Sequence, residues 1–296
     1  MPSGVHVSEY VLTLSCPDAR GIVHAVSQFL HERDCNILDS QQYGDVASHG
    51  GSDRFFMRVH FESPDALDPV RLEAAFTDVS RRFEMAAAFH RWGVPARVLL
   101  LVSKHGHCLN DLLYRVHAGS LATEVVGIVS NHPDLEPLAR HYDVPFHHLP
   151  LAAGASAEAK RDQERAIEAL IAREGIELVV LARYMQILSA AFCEVLAGRA
   201  INIHHSFLPS FPGARPYEQA HRHGVKLIGA TAHYVTRDLD EGPIIEQDVA
   251  RIDHASTVDD MTAAGRDVEA AVLARAVRWH VEHRVLINGI RTVVFR

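Results

Sequence analysis

Four short runs of apolar residues, spaced through the last two thirds of the chain, limit its fold more than any other feature of the sequence. They cover residues 97–103, 124–129, 144–149 and 177–182. Strands that are apolar on both faces are typical of parallel sheets with a helix layer on each side. Amphipathic helical patterns separate the runs, and the clearest covers residues 157–173. This alternation predicts an α/β fold with a mostly parallel sheet, whose ligands bind outside the carboxyl ends of the strands.

The first 90 residues carry a different pattern. Extended segments are predicted near residues 9–14, 35–38, 54–61 and 83–89, with helices over 22–30 and 70–82. The resulting order, βαββαβ, is that of a ferredoxin-like domain. Gly93 and Pro95 then interrupt the periodicity. We therefore predict a first domain at residues 1–90, a linker at 91–96 and a second domain at 97–296.

Composition excludes several classes of protein. A chain of 296 residues is long enough for two domains, and its net charge of -8 argues against a nucleic-acid partner. No apolar run approaches the roughly 20 residues that span a membrane, so we expect no membrane partner. The start of the sequence lacks a basic segment followed by an apolar one, which predicts a cytoplasmic protein. Four scattered cysteines without a CxxC pair fit reduced thiols.

The 21 histidines raise the question of a metal site. The densest groups lie at residues 105–108, 147–148 and 221–223, and none has the spacing of a known zinc motif. We therefore expect no metal and no cofactor. A metal-dependent amidohydrolase remains an alternative, which activity in the presence of a strong chelator would exclude.

Chemistry-bearing side chains concentrate between residues 201 and 240. Asn202 and His204 are two apart, so in a strand they share one face. The prolines and glycine within residues 209–213 take the chain out of the sheet, and a second apolar run at 225–235 leads to Asp240. An amide, an imidazole and a carboxylate together suit carbonyl chemistry. Each feature alone also fits a hydrogen-bonded turn or a solvated acidic loop.

The block at residues 201–213 and the turn at 236–243 resemble those of the folate-dependent formyltransferases, which carry Asn-x-His-Pro-Ser-Leu-Leu-Pro and a later Asp-x-Leu-Asp-Gly-Gly. The resemblance implies a Rossmann-like formyltransferase domain with Asn202, His204 and Asp240 as the catalytic side chains. It also implies a slot for the pterin ring of a folate. The walls of that slot would be Met185, Gln186, Ile187 and Leu188 on one side and Thr236, Arg237, Asp238 and Leu239 on the other.

Residues 1–90 resemble an ACT domain, a regulatory module, on the turn that contains Asp18, Gly21, Ile22 and Val23. We expect Asp18 to cap the helix that follows. The resemblance implies a small amino-acid effector near Asp18, Gly21 and Ile22, and pairing of domains into a homo-oligomer. The simpler alternative, that Gly21 only eases the turn, stays open.

The acceptor of the formyl group distinguishes the branches of the resembled family. A ribonucleotide amine needs a phosphate cradle of small residues, whereas the turn at residues 103–109 has one glycine and three bulky side chains. His205 stands where the transferases have proline. Over its whole length the chain resembles the formyltetrahydrofolate deformylases, which implies hydrolysis of 10-formyltetrahydrofolate to formate and tetrahydrofolate in one-carbon and purine metabolism.

Two alternatives stay open beside that interpretation. One is a folate-dependent formyltransferase acting on an amine acceptor, and the other is a non-catalytic amino-acid sensor. In the hydrolase, Asn202 and His204 would stabilise the tetrahedral oxyanion. Asp240 would either hold His204 charged or accept a proton from water, and the sequence leaves both roles open.

Overall fold

The computed structural model describes residues 7–152, 154–208 and 216–296. The predicted exit from the sheet at residues 209–213 lies outside them. The described chain divides into two compact units. The N-terminal unit runs up to Val94 and includes Glu282–Asn288 and Thr292–Arg296, and the C-terminal unit consists of Pro95–Val281 and Gly289–Arg291. This division differs from the predicted one, which assigned all of residues 97–296 to the second domain.

The N-terminal unit has the element order β-α-β-β-α-β over residues 8–91. Its elements are β1 (Ser8–Pro17), α1 (Ile22–His31), β2 (Asn36–Asp45), β3 (Arg54–Ser63), α2 (Pro69–Phe83) and β4 (Ala86–Arg91). The described strands form one antiparallel sheet in the order β2-β3-β1-β4. The two helices follow from apolar stripes at helical spacing, which bury residues such as Val26 and Phe76.

Strand β3 is buried on both faces, and this explains where the end of the chain belongs. Phe55, Met57, Val59 and Phe61 alternate into the core of the unit. On the opposite face the Arg58 side chain is 1% exposed, and its guanidinium donates hydrogen bonds of 3.1 and 3.3 Å to the carbonyl of Glu282. A buried guanidinium needs such acceptors. Most residues after the last helix therefore group with the N-terminal unit.

The first helix begins differently from the prediction. Its N-cap is Gly21, in the left-handed region with φ 93°, and no side chain caps the helix. Asp18 lies three residues earlier, and its main-chain N–H donates to the carbonyl of Asp53 at 3.0 Å. The predicted capping role of Asp18 is therefore wrong, because a turn through a left-handed glycine intervenes.

The C-terminal unit is built on a mostly parallel sheet, as predicted. Its elements are β5 (Ala96–Val102), α3 (His107–His117), β6 (Thr123–Ser130), α4 (Glu136–His141), β7 (Phe146–His148), α5 (Ala157–Glu174), β8 (Leu178–Leu181), α6 (Ala190–Val195), β9 (Ala200–His204), α7 (Pro216–His223), β10 (Leu227–Tyr234), β11 (Ile244–Arg251) and α8 (Val258–Val281). The described strands lie in the order β11-β10-β9-β8-β5-β6-β7. Strands β5 to β9 pair in parallel, and β10 and β11 add antiparallel. A terminal hairpin, β12 (Val285–Asn288) and β13 (Arg291–Val294), follows.

Helix α8 runs through Gly265 without a break. One glycine costs a helix interior only about 1 kcal/mol relative to alanine, so good helix formers on both sides carry the helix through. The glycine instead allows a close approach. A Cβ at position 265 would lie 2.0 Å from the hydroxyl oxygen of Tyr217.

Neither a membrane span nor a disulfide occurs in the part of the chain that the structure describes. No helix there is both long and apolar enough to cross a bilayer. All four cysteines are free thiols, and Cys16, Cys108 and Cys193 are buried.

Candidate active site

The pairing of two strands brings together three polar residues, Asn202, His204 and Asp240. Strand β9 ends at His204, and β10 runs antiparallel beside it with His233 opposite Asn202. The turn after β10 then brings Asp240 back towards the end of β9. Nδ1 of His204 lies 3.2 Å from one carboxylate oxygen of Asp240.

His233 links the amide to the carboxylate. Nδ2 of Asn202 lies 3.2 Å from Nε2 of His233, and the same Nε2 lies 3.6 Å from the other carboxylate oxygen of Asp240. His233 is 3% exposed, and its Nδ1 lies 2.9 Å from the carbonyl oxygen of Tyr234. A carbonyl oxygen only accepts, so Nδ1 is the donor. In the neutral ring Nε2 is then left to accept from Asn202, which orients the amide.

The turn that carries Asp240 depends on an unusual backbone. Asp240 has φ 58°, in the left-handed region that aspartate tolerates better than most residues. Two residues later, a Cβ on Gly242 would lie 1.7 Å from the carbonyl oxygen of Tyr234. Glycine at 242 therefore lets the turn fold back on the end of β10, and this fixes the position of the carboxylate.

Asp240 is ionised at neutral pH. Burial raises the pKa of its carboxyl group, but the hydrogen bond from His204, that from His233 when its Nε2 is protonated, and the charges of both rings outweigh burial and hold that pKa well below its usual value. Because a carboxylate only accepts, Nδ1 of His204 is the donor in their contact. The pair can therefore stabilise a positive charge on His204.

These groups lie in a pocket of about 620 Å³, within the usual range for a small-molecule site. The residues predicted for the pterin slot all line it: Met185, Gln186, Ile187, Leu188, Thr236, Arg237, Asp238 and Leu239. Met185, Ile187 and Leu239 are 56%, 61% and 62% exposed. Exposed apolar surfaces on facing loops suit a flat, partly apolar ring.

Side chains from two other elements hold the loop at residues 183–189. The N–H of Met185 donates to Oγ of Ser103 at 3.0 Å, and that hydroxyl donates to Asn131 at 2.7 Å. At the far end of the loop, Glu164 of α5 accepts from the N–H of Ser189 at 2.7 Å. Position 103, at the end of β5, therefore shapes this wall although it does not line the pocket.

A second group of polar side chains, largely buried, centres on Arg183, which lines the pocket together with His205. Arg183, with φ 68°, places Nη1 2.7 Å from Nδ1 of His205 and Nε 3.3 Å from Oε2 of Glu269. Glu269 also contacts Nε2 of His107 and the hydroxyl of Tyr217, each at 2.9 Å. Burial raises the pKa of Glu269, but the His107 hydrogen bond and the Arg183 charge outweigh it, so the net shift is downward.

His107, Cys108 and Glu269 also have ligand atoms within 4.8 Å of one another, a spacing that could hold a metal ion. The donor set fits a metal poorly. Burial, with the nearby charge of Glu269, raises the pKa of the Cys108 thiol well above its usual value. The carboxylate of Glu269 faces the cationic Arg183, which a metal ion would have to displace. The expectation that no metal takes part stays a prediction.

The effector residues predicted for the N-terminal unit lie near one another in sequence but differ in exposure. Asp18 and Gly21 are exposed, whereas the Ile22 side chain is 2% exposed and belongs to the core. A ligand there would contact Ile22 through its main chain. An effector site at this turn stays a prediction.

The sequence interpretation assigned no role to His233, Arg183 or Glu269. One signal for His233 was available, since Thr231 and His233 are polar residues alternating within an apolar run. Alternation places both on one face of the strand. Thr231 accepts from the N–H of Leu208 at 3.1 Å and donates to the carbonyl of Ser206 at 2.9 Å. That face of β10 therefore both holds the segment after His204 and supplies His233.

Comparison with known proteins agrees with this architecture. The sequence matches the formyl transferase family over residues 96–277. A formyltetrahydrofolate deformylase from Corynebacterium sp. (strain P-1) is 50% identical over 290 residues, which cover 97% of this chain and 98% of that protein. The crystal structure of a formyltetrahydrofolate deformylase from Burkholderia mallei ATCC 23344 is 50% identical with a TM-score of 0.91, covering 98% of this chain and 100% of that one.

A smaller relative covers less of the chain. The glycinamide ribonucleotide transformylase 1 of Symbiobacterium toebii is 32% identical with a TM-score of 0.63, and it covers 70% of this chain and 97% of its own. The chain belongs to the formyl transferase family and, within it, to the formyltetrahydrofolate deformylases.

Proposed function

We propose that this chain hydrolyses 10-formyltetrahydrofolate to formate and tetrahydrofolate, in support of one-carbon and purine metabolism. The observation that carries the proposal is the contact of 3.2 Å between His204 and an ionised Asp240, beside a pocket of ligand size. The full-length similarity to proteins named formyltetrahydrofolate deformylase supports the same reaction.

The folate binds with its pterin ring between the two loops of the pocket. Residues 185–188 form one wall and residues 236–239 the other, and both offer exposed apolar side chains and main-chain groups. The contacts of Met185 and Ser189 with the sheet and with α5 keep the first wall fixed. A wall that is fixed before binding costs less ordering entropy when the ligand arrives.

The formyl group lies over Asn202 and His204, and a water molecule attacks its carbon. The carbonyl oxygen becomes an oxyanion, which accepts hydrogen bonds from the Asn202 amide and from protonated His204. Loss of one such donor typically raises the barrier by about 2.7–4 kcal/mol. The amide is well suited to this role because His233 already fixes its orientation.

Asp240 completes the transfer of protons. Its carboxylate either accepts a proton from the attacking water or keeps His204 charged, and the lowered pKa of Asp240 favours the second role because it makes the carboxylate a weak base. The carbon–nitrogen bond then breaks, the folate nitrogen takes a proton, and formate leaves. In this scheme the side chains of the pocket supply every charge that the reaction needs, so we propose that neither metal nor cofactor takes part. Full activity in the presence of a strong chelator is the expected result.

The decisive assay offers 10-formyltetrahydrofolate without any amine. Release of formate supports hydrolysis, whereas release that begins only after an amine is added indicates a transferase. Asp240→Asn and His204→Ala should each lower kcat about a hundredfold or more. Asp143→Asn is a matched control, because Asp143 has φ 54° in a turn outside the pocket. Near-normal hydrolysis by both pocket variants would place the active site elsewhere.

We also propose that the N-terminal unit is an ACT-like regulatory domain that binds a small amino acid near Asp18, Gly21 and Ile22. Its element order and strand order support this assignment. The transformylase that covers 70% of this chain shows that a shorter chain suffices for a related protein. A change in the rate of formate release when amino acids are added is the expected result, and an unchanged rate with each of them would contradict a regulatory site.

A homo-oligomer and a cytoplasmic location complete the proposal. Pairing of ACT-like sheets would use an edge such as β2, where Leu38 and Tyr43 are 45% and 46% exposed. Free cysteines suit a reducing compartment. Light scattering after gel filtration should give the mass of two or more chains of 32.8 kDa, and a mass of 32.8 kDa would contradict the oligomer.

A further inference from the structure

A chain of charged contacts that the proposed reaction does not use begins at the pocket wall. It runs from Glu269 through Arg183 to His205, and both Arg183 and His205, the neighbour of His204, line the pocket. Arg183 has a 12% exposed side chain, and Glu269 one that is 2% exposed. Nε of Arg183 makes no hydrogen bond among the described residues, so its contact with Glu269 is an ion pair alone, and a buried ion pair adds little to stability.

The chemistry of the guanidinium group decides which nitrogen of His205 carries the proton. Arginine has only N–H donors, and it stays charged. Nδ1 of His205, at 2.7 Å from Nη1 of Arg183, must therefore be the acceptor. The ring proton is then at Nε2. Among the described residues, this Nε2–H has no hydrogen-bond partner, and it belongs to a residue that lines the pocket.

His205 is also uncharged at neutral pH. Burial lowers the pKa of its imidazole to about 4, and the charges of Arg183 and His204 act in the same direction against the weaker opposing charges of Glu269 and Asp240. The rings of His204 and His205 stack with centroids 4.9 Å apart and planes 24° apart. Two positive rings at that separation would repel each other, so a proton on one disfavours a proton on the other.

We propose that Arg183, anchored by Glu269, is a positioning residue that occupies Nδ1 of His205, so that His205 remains an Nε2–H donor facing the pocket and the stacked pair keeps its positive charge on His204. The proposal rests on the proposed function only in naming His204 as the catalytic imidazole. Glu269 is the anchor because it alone, among the described carboxylates, contacts Arg183. His107 and Tyr217 hold that carboxylate in place from α3 and α7.

The tautomer of His205 is measured directly by nitrogen NMR of protein labelled in histidine, with the His205 signals assigned by their loss in His205→Gln. The expected result is a neutral Nε2–H form from pH 8 down to about pH 5. A proton at Nδ1, or protonation of His205 with a midpoint near 6.5, would overturn the proposal. This measurement needs no activity, so it separates failure of the proposal from failure of the proposed function.

Arg183→Met tests the consequence for catalysis. Without the donor at Nδ1, His205 can take a proton as the pH falls, and that proton competes with the one on His204. We expect kcat for formate release to fall tenfold or more with KM changed less than threefold, and the acidic limb of the kcat–pH profile to move up by one pH unit or more. Arg115→Met is the matched control, since Arg115 is a partly buried arginine bonded to Asp111 outside the pocket.

A double variant separates positioning from a merely structural role. A glutamine at position 205 does not titrate, so adding Arg183→Met to His205→Gln should leave the acidic limb where His205→Gln alone has it. A shift that persists in the double variant, or a loss of activity in Arg183→Met with an unmoved acidic limb, would show that Arg183 only supports the fold. Should Arg183→Met fail to fold, the tautomer of His205 in the unaltered protein decides the question.

Discussion

At the scale of single residues, the site depends on imidazole rings whose two nitrogens have different partners. His233 donates from Nδ1 to a carbonyl and meets Asn202 and Asp240 at Nε2. His204 turns Nδ1 towards Asp240, and His205 turns Nδ1 towards Arg183. In each ring the hydrogen bond made by one nitrogen determines whether the other nitrogen can donate or accept a proton, as in histidines that bind metals or abstract protons.

His233→Leu should leave the fold in place and impair the chemical step. Leucine fills a similar space but offers Asn202 no acceptor, so the amide loses its fixed orientation. We expect kcat to fall about tenfold to a hundredfold with a smaller change in KM, because an oriented donor matters most at the oxyanion. Steady-state formate release measures this, with His254→Leu in an exposed loop as the control. An unchanged kcat would remove His233 from the site.

At the scale of elements, the apolar runs located the parallel strands because continuous burial leaves a continuous apolar sequence. Strands β5 and β8 have Leu99, Leu101 and Val180 at 2% exposure or less, as that pattern predicts. The apolar stripe of α8 was equally visible. The role of Gly265 was not, because its partner Tyr217 lies on α7, and only packing of the two helices brings them together.

Gly265→Ala should destabilise the protein, contrary to the usual effect of this change in a helix. Alanine in a helix interior normally adds about 0.5–1 kcal/mol. Here its Cβ would displace the ring of Tyr217, and such overpacking costs about 1–3 kcal/mol. Urea unfolding measures the free energy. In a Tyr217→Ala background the same change should become stabilising, and destabilisation in both backgrounds would point to a cause other than the tyrosine ring.

At the scale of the whole molecule, residues near the end of the chain pack against residues of the first domain. Asn288, close to the end, donates to Asp45 at 2.8 Å, and the carbonyl of Glu282 accepts from Arg58. These contacts join residues that are far apart in the sequence, so no local sequence pattern could predict them. They explain why the observed N-terminal unit contains two segments from the end of the chain.

Buried tyrosines give the molecule a further global property, which is loss of stability in alkali. Burial raises the pKa of both Tyr184 and Tyr234. The unfolded chain loses these protons near pH 10 and the folded chain only at higher pH. Their contribution to stability is therefore complete below about pH 10, and each tyrosine removes about 1.4 kcal/mol per pH unit above it.

Urea unfolding between pH 8 and pH 11 tests this prediction. Tyr234→Phe should flatten the decline above pH 10, because one ionising group is gone. Tyr114→Phe, at a side chain that is 60% exposed, should leave the slope unchanged. Equal slopes in the unaltered protein and in Tyr234→Phe would contradict the assignment.

The sequence by itself indicated the strands, the helices and the three polar side chains of the candidate site, because these follow from local spacing. Apolar runs mark buried strands, and a separation of two places Asn202 and His204 on one face. The tertiary structure alone decided that His233 lies opposite Asn202 and that Arg183 lies between His205 and Glu269. The physical reason is that strand register and helix packing are set by contacts between distant segments, and side-chain periodicity carries no information about them.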